Sequence, residues 1–213
     1  MPAAPLLIDP DAHLREQQLH REEVLNGRFL KVVRDTVALP DGSLATREYV
    51  LHPGAVMIVP LQEDGSVIME RQYRYPVQQV MIEFPAGKID PGESIAQCAA
   101  RELQEETGLA AREWARAGRL HPVIAYSDEF IEIWFARGLT RGLQRLDPGE
   151  FLDVISVKTS DLIRWIAQGL VTDAKTMIAA FWLQRAQAGD WKLDWQPLPQ
   201  AVESLWIVGF LYL

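Results

Sequence analysis

The chain has 213 residues, enough to bury a sizeable core in one globular unit with room for a small accessory lobe. A formal net charge of −8 and a pI near 5.0 exclude a broad nucleic-acid or anionic-membrane surface, which needs basic patches, but leave room for a small anionic substrate met by local cations. The one cysteine, Cys98, forbids an intrachain disulfide and fits a reducing, cytoplasmic setting. No signal peptide is visible at the start, and no stretch reaches transmembrane length.

Residues 1–20 carry Pro2, Pro5, Pro10 and mixed charge and read as a poorly ordered arm. Residues 28–39 and 45–51 are apolar-rich runs separated by Asp41-Gly42, a hairpin turn, so residues 21–52 form a small antiparallel lobe. Such a meander has no core of its own and must pack on something, a partner subunit being one candidate. His52-Pro53-Gly54 breaks the chain, and residues 55–61 are a continuous apolar run suited to a buried strand. A second strand over residues 66–73 ends in Glu70-Arg71-Gln72-Tyr73-Arg74-Tyr75. Alternation there puts Arg71 and Tyr73 on one face, with Gln72 and Arg74 on the other.

Residues 80–84 lead into Pro85-Ala86-Gly87 and a turn-rich loop holding Asp90, Pro91 and Gly92. Then Ile95, Ala96, Ala99, Ala100 and Leu103 recur at helical spacing, and Gly108 is a helix stop. Cys98 lies on this helix and reads as a small packed residue. Strands follow at 114–120, 130–136 and 152–158, with a Gly- and Arg-rich loop over 140–149. Helices close the domain at 161–168, with Ser160 as N-cap, and at 172–188, with Asp173 in the first turn. Residues 196–213 form an apolar tail of open role. The order is a mixed α/β pattern rather than a regular βαβ alternation. His13, His20, His52 and His121 have no metal-ligand spacing.

The helix after Gly87 carries the chemistry. Glu102 lies three residues before Glu105 and four before Glu106, so all three project near one face, where like charges repel. Arg101 can offset one pair through Glu105 but not all of them. A carboxylate cluster with too few local cations suits a hard divalent ion, and Mg²⁺ takes oxygen ligands and works with substrate phosphates.

The run Gly87, Glu93, Arg101, Glu102, Leu103, Glu105, Glu106, Gly108 and Leu109 specifies nine positions over 23 residues, and it resembles the Nudix box at each. The resemblance implies an α/β/α sandwich with a mixed sheet over residues 53–195, and Mg²⁺- or Mn²⁺-dependent hydrolysis of a nucleoside diphosphate linked to another group. It implies Glu102, Glu105 and Glu106 as metal-facing residues, joined by the carbonyl of Ala86. Arg101 would hold a glutamate in place, and Glu93 would support the turn into the helix.

The run from Glu83 to Glu93 resembles the ADP-ribose pyrophosphatase branch of that family. In that branch the N-terminal lobe is exchanged between the subunits of a homodimer. Arg71, Tyr73, Arg74 and Glu83 are the substrate-binding candidates: a guanidinium can fork onto a diphosphate, and a tyrosine can stack on a base or sugar. One position departs. Where that branch carries a proline fifteen residues past the box, this chain has Ile124, its nearest proline being Pro122. Other nucleoside diphosphate sugars, GDP-mannose among them, stay open, as does a module that binds ADP-ribose without cleaving it. By resemblance, a glutamate on a later loop serves as general base, and Glu150 is the residue offered by the loop before residue 152.

Overall fold

The computed structural model describes residues 9–198. The chain divides into two compact units. One comprises the segment up to His52 together with Val123–Glu129, the other Pro53–Pro122 and the chain from Phe130 onward.

The first unit is a three-stranded antiparallel sheet of β1 (Gln17–Asn26), β2 (Lys31–Ala38) and β3 (Leu44–Leu51), in that order. Along β2, Val33, Asp35 and Val37 alternate inward and are buried. Asp35 survives there because Arg21 of β1 donates to both its oxygens at 2.8 Å and the Tyr49 hydroxyl of β3 donates at 2.9 Å. These hydrogen bonds, Arg21 first, hold its carboxyl below the usual range. The loop Val123–Glu129 docks on the end of β3. The Val50 amide donates to the Tyr126 carbonyl at 2.9 Å, and the His52 amide to Asp128 Oδ1 at 2.7 Å.

Two expectations change here. Gln17 to His20, read as part of the arm, already lie in β1. All ten residues of that strand are exposed, so no apolar alternation marks it. Residues 28–30, read as strand, precede β2 and form a connection in which the Gly27 amide donates to the Leu30 carbonyl at 2.8 Å.

In the second unit, β4 (Ala55–Pro60) and β9 (Ile131–Arg141) run parallel at the centre of a sheet ordered β7-β4-β9-β8, with β7 spanning Ala86–Lys88 and β8 Leu109–Leu120. A second sheet has the order β10-β5-β6, from Leu152–Val157, Val67–Arg74 and Gln79–Glu83. Every residue of β4 is buried because both its faces are covered. Val56 and Ile58 pack with Ala96, Cys98, Ala99 and Leu103 of α1 (Ile95–Thr107). Met57 and Val59 pack on the other face with Met69 of β5, Leu162 of α2 (Thr159–Ala167) and Ala180 and Leu183 of α3 (Ala174–Gln187). The expected α/β/α sandwich with a mixed sheet is present.

The helix ends differ in detail. Lys158, not Ser160, occupies the cap position of α2, without a side-chain cap bond. Asp173 caps α3 from outside, its carboxylate accepting from the Thr176 amide at 3.0 Å. The apolar tail from residue 196 is described only as far as Leu198; there Gln196 bridges to Trp114, and the remainder, like residues 1–8 of the arm, lies outside the described residues. Among the described residues no helix is long and apolar enough to cross a membrane.

Candidate active site

The local folding of α1 aims its carboxylates. Ser94 and Gln97 form a reciprocal cap: the Ser94 Oγ accepts from the Gln97 amide and the Gln97 side chain accepts from the Ser94 amide at 2.9 Å. Gly108 ends the helix at φ +69°, where an added Cβ would lie 2.9 Å from the Gln144 amide nitrogen. Between these ends the buried face carries Ala96, Cys98, Ala99 and Leu103, and also Glu102 and Glu106. Cys98 is wholly buried, and its thiol donates to the Lys88 carbonyl at 3.3 Å, a packed role as expected.

The loop before the helix is fitted to those two acids. A Cβ on Gly87 would lie 1.9 Å from Glu102 Oε1, so any other residue there would push this carboxylate out of its place. The amide of Ala86 donates to Glu106 Oε2 at 2.9 Å. Arg101 ties the rest together. Its Nε and Nη2 donate to the two oxygens of Glu93 at 2.8 Å, and its Nη1 donates to Glu102 at 2.8 Å and to Glu105 at 2.9 Å. One guanidinium thus serves three carboxylates.

A second group of side chains comes from β5 and its neighbours. Glu70, Gln72 and Arg74 share one face of the strand by alternation. Arg74 donates from Nε and Nη2 to the two oxygens of Glu83 on β6, at 2.8 and 3.0 Å. Lys175 of α3 donates to Glu83 as well and, at 3.0 Å, to Asp173. Gln72 Nε2 donates to Glu150 Oε1 at 3.0 Å, which fixes the loop before β10. Glu150 is close enough to add its repulsion to Glu70, Glu102 and Glu106.

The charges do not balance. Burial pushes the Glu102 carboxyl up to about 6, although Arg101 pulls against it. Burial also raises Glu106 and Glu70; repulsion from Glu70 adds to the rise of Glu106, and repulsion from Glu83 adds to that of Glu70. Burial would raise Glu83 too, but Arg74 and Lys175 hold it below the ordinary range. As the side chains lie, no three acids among the described residues stand ready to grip an ion, Glu102 and Glu105 being held by Arg101. The donor set still fits a hard divalent cation. It is all oxygen and rich in negative charge, and both carboxylate oxygens of Glu70 are buried with no partner.

The structure therefore gathers Ala86, Glu102, Glu106, Arg101 and Glu105, and brings Glu150, Arg74 and Glu83 to the same group. It does not bring Arg71 or Tyr73. They lie on the opposite, exposed face of β5, where Arg71 pairs with Asp153 at 3.1 Å. Glu70, Gln72 and Lys175 were not foreseen. The available signal was Glu70 itself, a charge directly after the apolar run Val67-Ile68-Met69.

Residues 51–181 match the NUDIX domain. The chain belongs to the Nudix family. It is a Nudix hydrolase, and its residues 16–50, which include the three-stranded lobe almost entirely, match the nucleoside diphosphate sugar hydrolase N-terminal domain. It is 33% identical to an ADP-ribose pyrophosphatase of Bacillus subtilis over 82% of this chain and 96% of that protein. It is 35% identical to a methanol dehydrogenase activator of Bacillus methanolicus, over 81% of this chain and 95% of the relative. Among solved structures, an ADP compounds hydrolase matches with a TM-score of 0.75 at 26% identity, covering 83% of this chain and 96% of the other.

Proposed function

We propose that this Nudix hydrolase cleaves the diphosphate bond of ADP-ribose, or of a closely related nucleoside diphosphate sugar, using Mg²⁺ or Mn²⁺. The observation that carries the reading is the placement of Glu102 and Glu106 on the buried face of α1, at Ala86–Gly87, with more negative charge than the local cations answer. The ADP-ribose pyrophosphatase relative and the N-terminal domain match support the substrate class. A bound divalent ion would neutralise the diphosphate and acidify a water molecule. Glu102, Glu105, Glu106 and the Ala86 carbonyl would hold it.

The remaining parts follow from the chain. Glu150, positioned by Gln72, takes a proton from the attacking water. The water oxygen bonds to one phosphorus as the bond from that phosphorus to the bridging oxygen breaks. Two monophosphates leave, AMP and ribose 5-phosphate in the case of ADP-ribose. Arg74, steadied on Glu83, presents the rest of its guanidinium to the phosphates. Arg71 and Tyr73 lie on the other face of β5, away from this group. The enzyme acts in the cytoplasm as a homodimer, and exposed Leu19, Leu25 and Leu44 of the lobe form part of the surface that a second copy covers. Light scattering checks the dimer.

A panel of ADP-ribose, GDP-mannose, other sugar nucleotides and dinucleotides, each with Mg²⁺, tests the substrate. The highest turnover is expected for ADP-ribose, with AMP and ribose 5-phosphate in equal amounts. Preference for GDP-mannose would replace the substrate, and tight ADP-ribose binding without products would make the chain a binding module.

A further inference from the structure

Glu70 has no exposed surface, and neither of its carboxylate oxygens has a hydrogen-bond partner among the described residues. A buried carboxylate without partners is among the most unfavourable groups a core can hold. An aliphatic side chain would fill the position without that penalty, as Ile68 does two residues earlier on the same face. The cations within range are already engaged. Arg74 gives two N–H groups to Glu83, at 2.8 and 3.0 Å, and Lys175 is shared between Glu83 and Asp173. The strand register sets Glu70 directly opposite Glu83, which adds repulsion. Of the charges that act on Glu106, that of Glu70 is the strongest. A carboxylate so placed lacks a cation of its own among the described residues, Arg74 and Lys175 acting on it only from their places on Glu83.

We infer that Glu70 is a further acidic residue of the divalent-cation site, facing the ion from the β5 side while Glu106 faces it from α1. The inference rests on the reading above that Glu106 serves a metal. It assigns a role to a buried glutamate outside the box, and it explains why β5 places an acid where a core residue would otherwise stand.

The test is calorimetric titration of Mn²⁺ into the metal-stripped full chain and its Glu70→Gln, Glu70→Val and Glu106→Gln variants, with circular dichroism to confirm the fold of each. The Glu70 variants should bind Mn²⁺ at least tenfold more weakly than the parent. Unchanged affinity in folded Glu70→Gln and Glu70→Val, with affinity lost in Glu106→Gln, would overturn the role of Glu70 and leave the box reading standing. Unchanged affinity in Glu106→Gln as well would overturn both. Should neither Glu70 variant fold, anomalous diffraction from parent crystals soaked in Mn²⁺ decides. The ion is expected on a Glu70 oxygen, directly or through one water. An ion bound only to box residues, with no such link, overturns the inference.

Discussion

Two kinds of buried carboxylate stand in this molecule, and the contrast between them marks the site. Asp35 in the lobe, Glu83 on β6 and Glu132 on β9 are each buried and each answered by cations. Arg21 serves Asp35, Arg74 and Lys175 serve Glu83, and Arg116 and Arg119 serve Glu132. Glu70 and Glu106 are as deeply buried, yet among the described residues Glu70 has no hydrogen-bond partner and the Glu106 carboxylate has only a backbone amide. A carboxylate with its own cation serves the fold. One without is destabilising until something positive arrives, which is the condition expected at a metal site.

The sharpest way to break this comparison is Glu106→Gln. The amide can still accept from the Ala86 N–H, so the fold should hold while turnover falls about 1,000-fold, the loss of several kcal/mol of charge stabilisation. Steady-state kinetics with a melting curve reads both. The answered class should behave in the opposite way. Glu83→Gln strips a buried partner from Arg74 and Lys175 and should cost about 3 kcal/mol of stability in denaturant unfolding. A stability change within error would place Glu83 outside that class. Glu150→Gln should lower kcat about 100-fold with little change in KM, as removal of a general base does. Unchanged kinetics would assign the proton to another group.

Acid gives the smallest effect, read at Glu102, which Arg101 answers only in part, against Asp35. The folded-state pKa of Glu102 is raised from 4.5 to about 6, so its contribution favours the fold below about 4.5 and is lost as pH rises through about 6. Protonation of Glu102 alone should therefore contribute about 1–2 kcal/mol to the metal-free second unit on going from pH 7 to pH 4.5. Mg²⁺ should abolish that gain. Asp35 runs the other way. Its pKa is lowered from 3.8, so its contribution is present above that value and lost as pH falls through the lower folded value. Hydrogen exchange at several pH values, with and without Mg²⁺, should show the lobe loosening only below about pH 4 while metal-free α1 tightens.

Much of this was legible before any fold was known, and the exceptions have physical causes. The box was readable because its chemistry fixes residue types at fixed spacings on a single turn and helix. The burial of β4 was readable from an uninterrupted apolar run. Strand β1 was not, because its ten residues are all exposed and leave no alternation to see. Alternation correctly set Arg71 and Tyr73 apart from Gln72 and Arg74, but it could not say which face would meet the acids. Glu70 was hidden for a related reason. Its meaning depends on the register that pairs it with Glu83 and on a helix residue 36 positions later, Glu106. Ser160 failed as a cap because the helix begins two residues earlier than expected, at Thr159, which places Lys158 at its boundary.

The central claim is that these unanswered acids exist to bring a divalent ion to a diphosphate. Its most direct test is turnover of ADP-ribose by metal-stripped protein as Mg²⁺ is added back, with both products quantified. No turnover is expected without the ion, a saturable rise with it, and AMP and ribose 5-phosphate in a one-to-one ratio. Turnover that ignores the ion, or folded, Mg²⁺-loaded protein that leaves ADP-ribose intact, would contradict it.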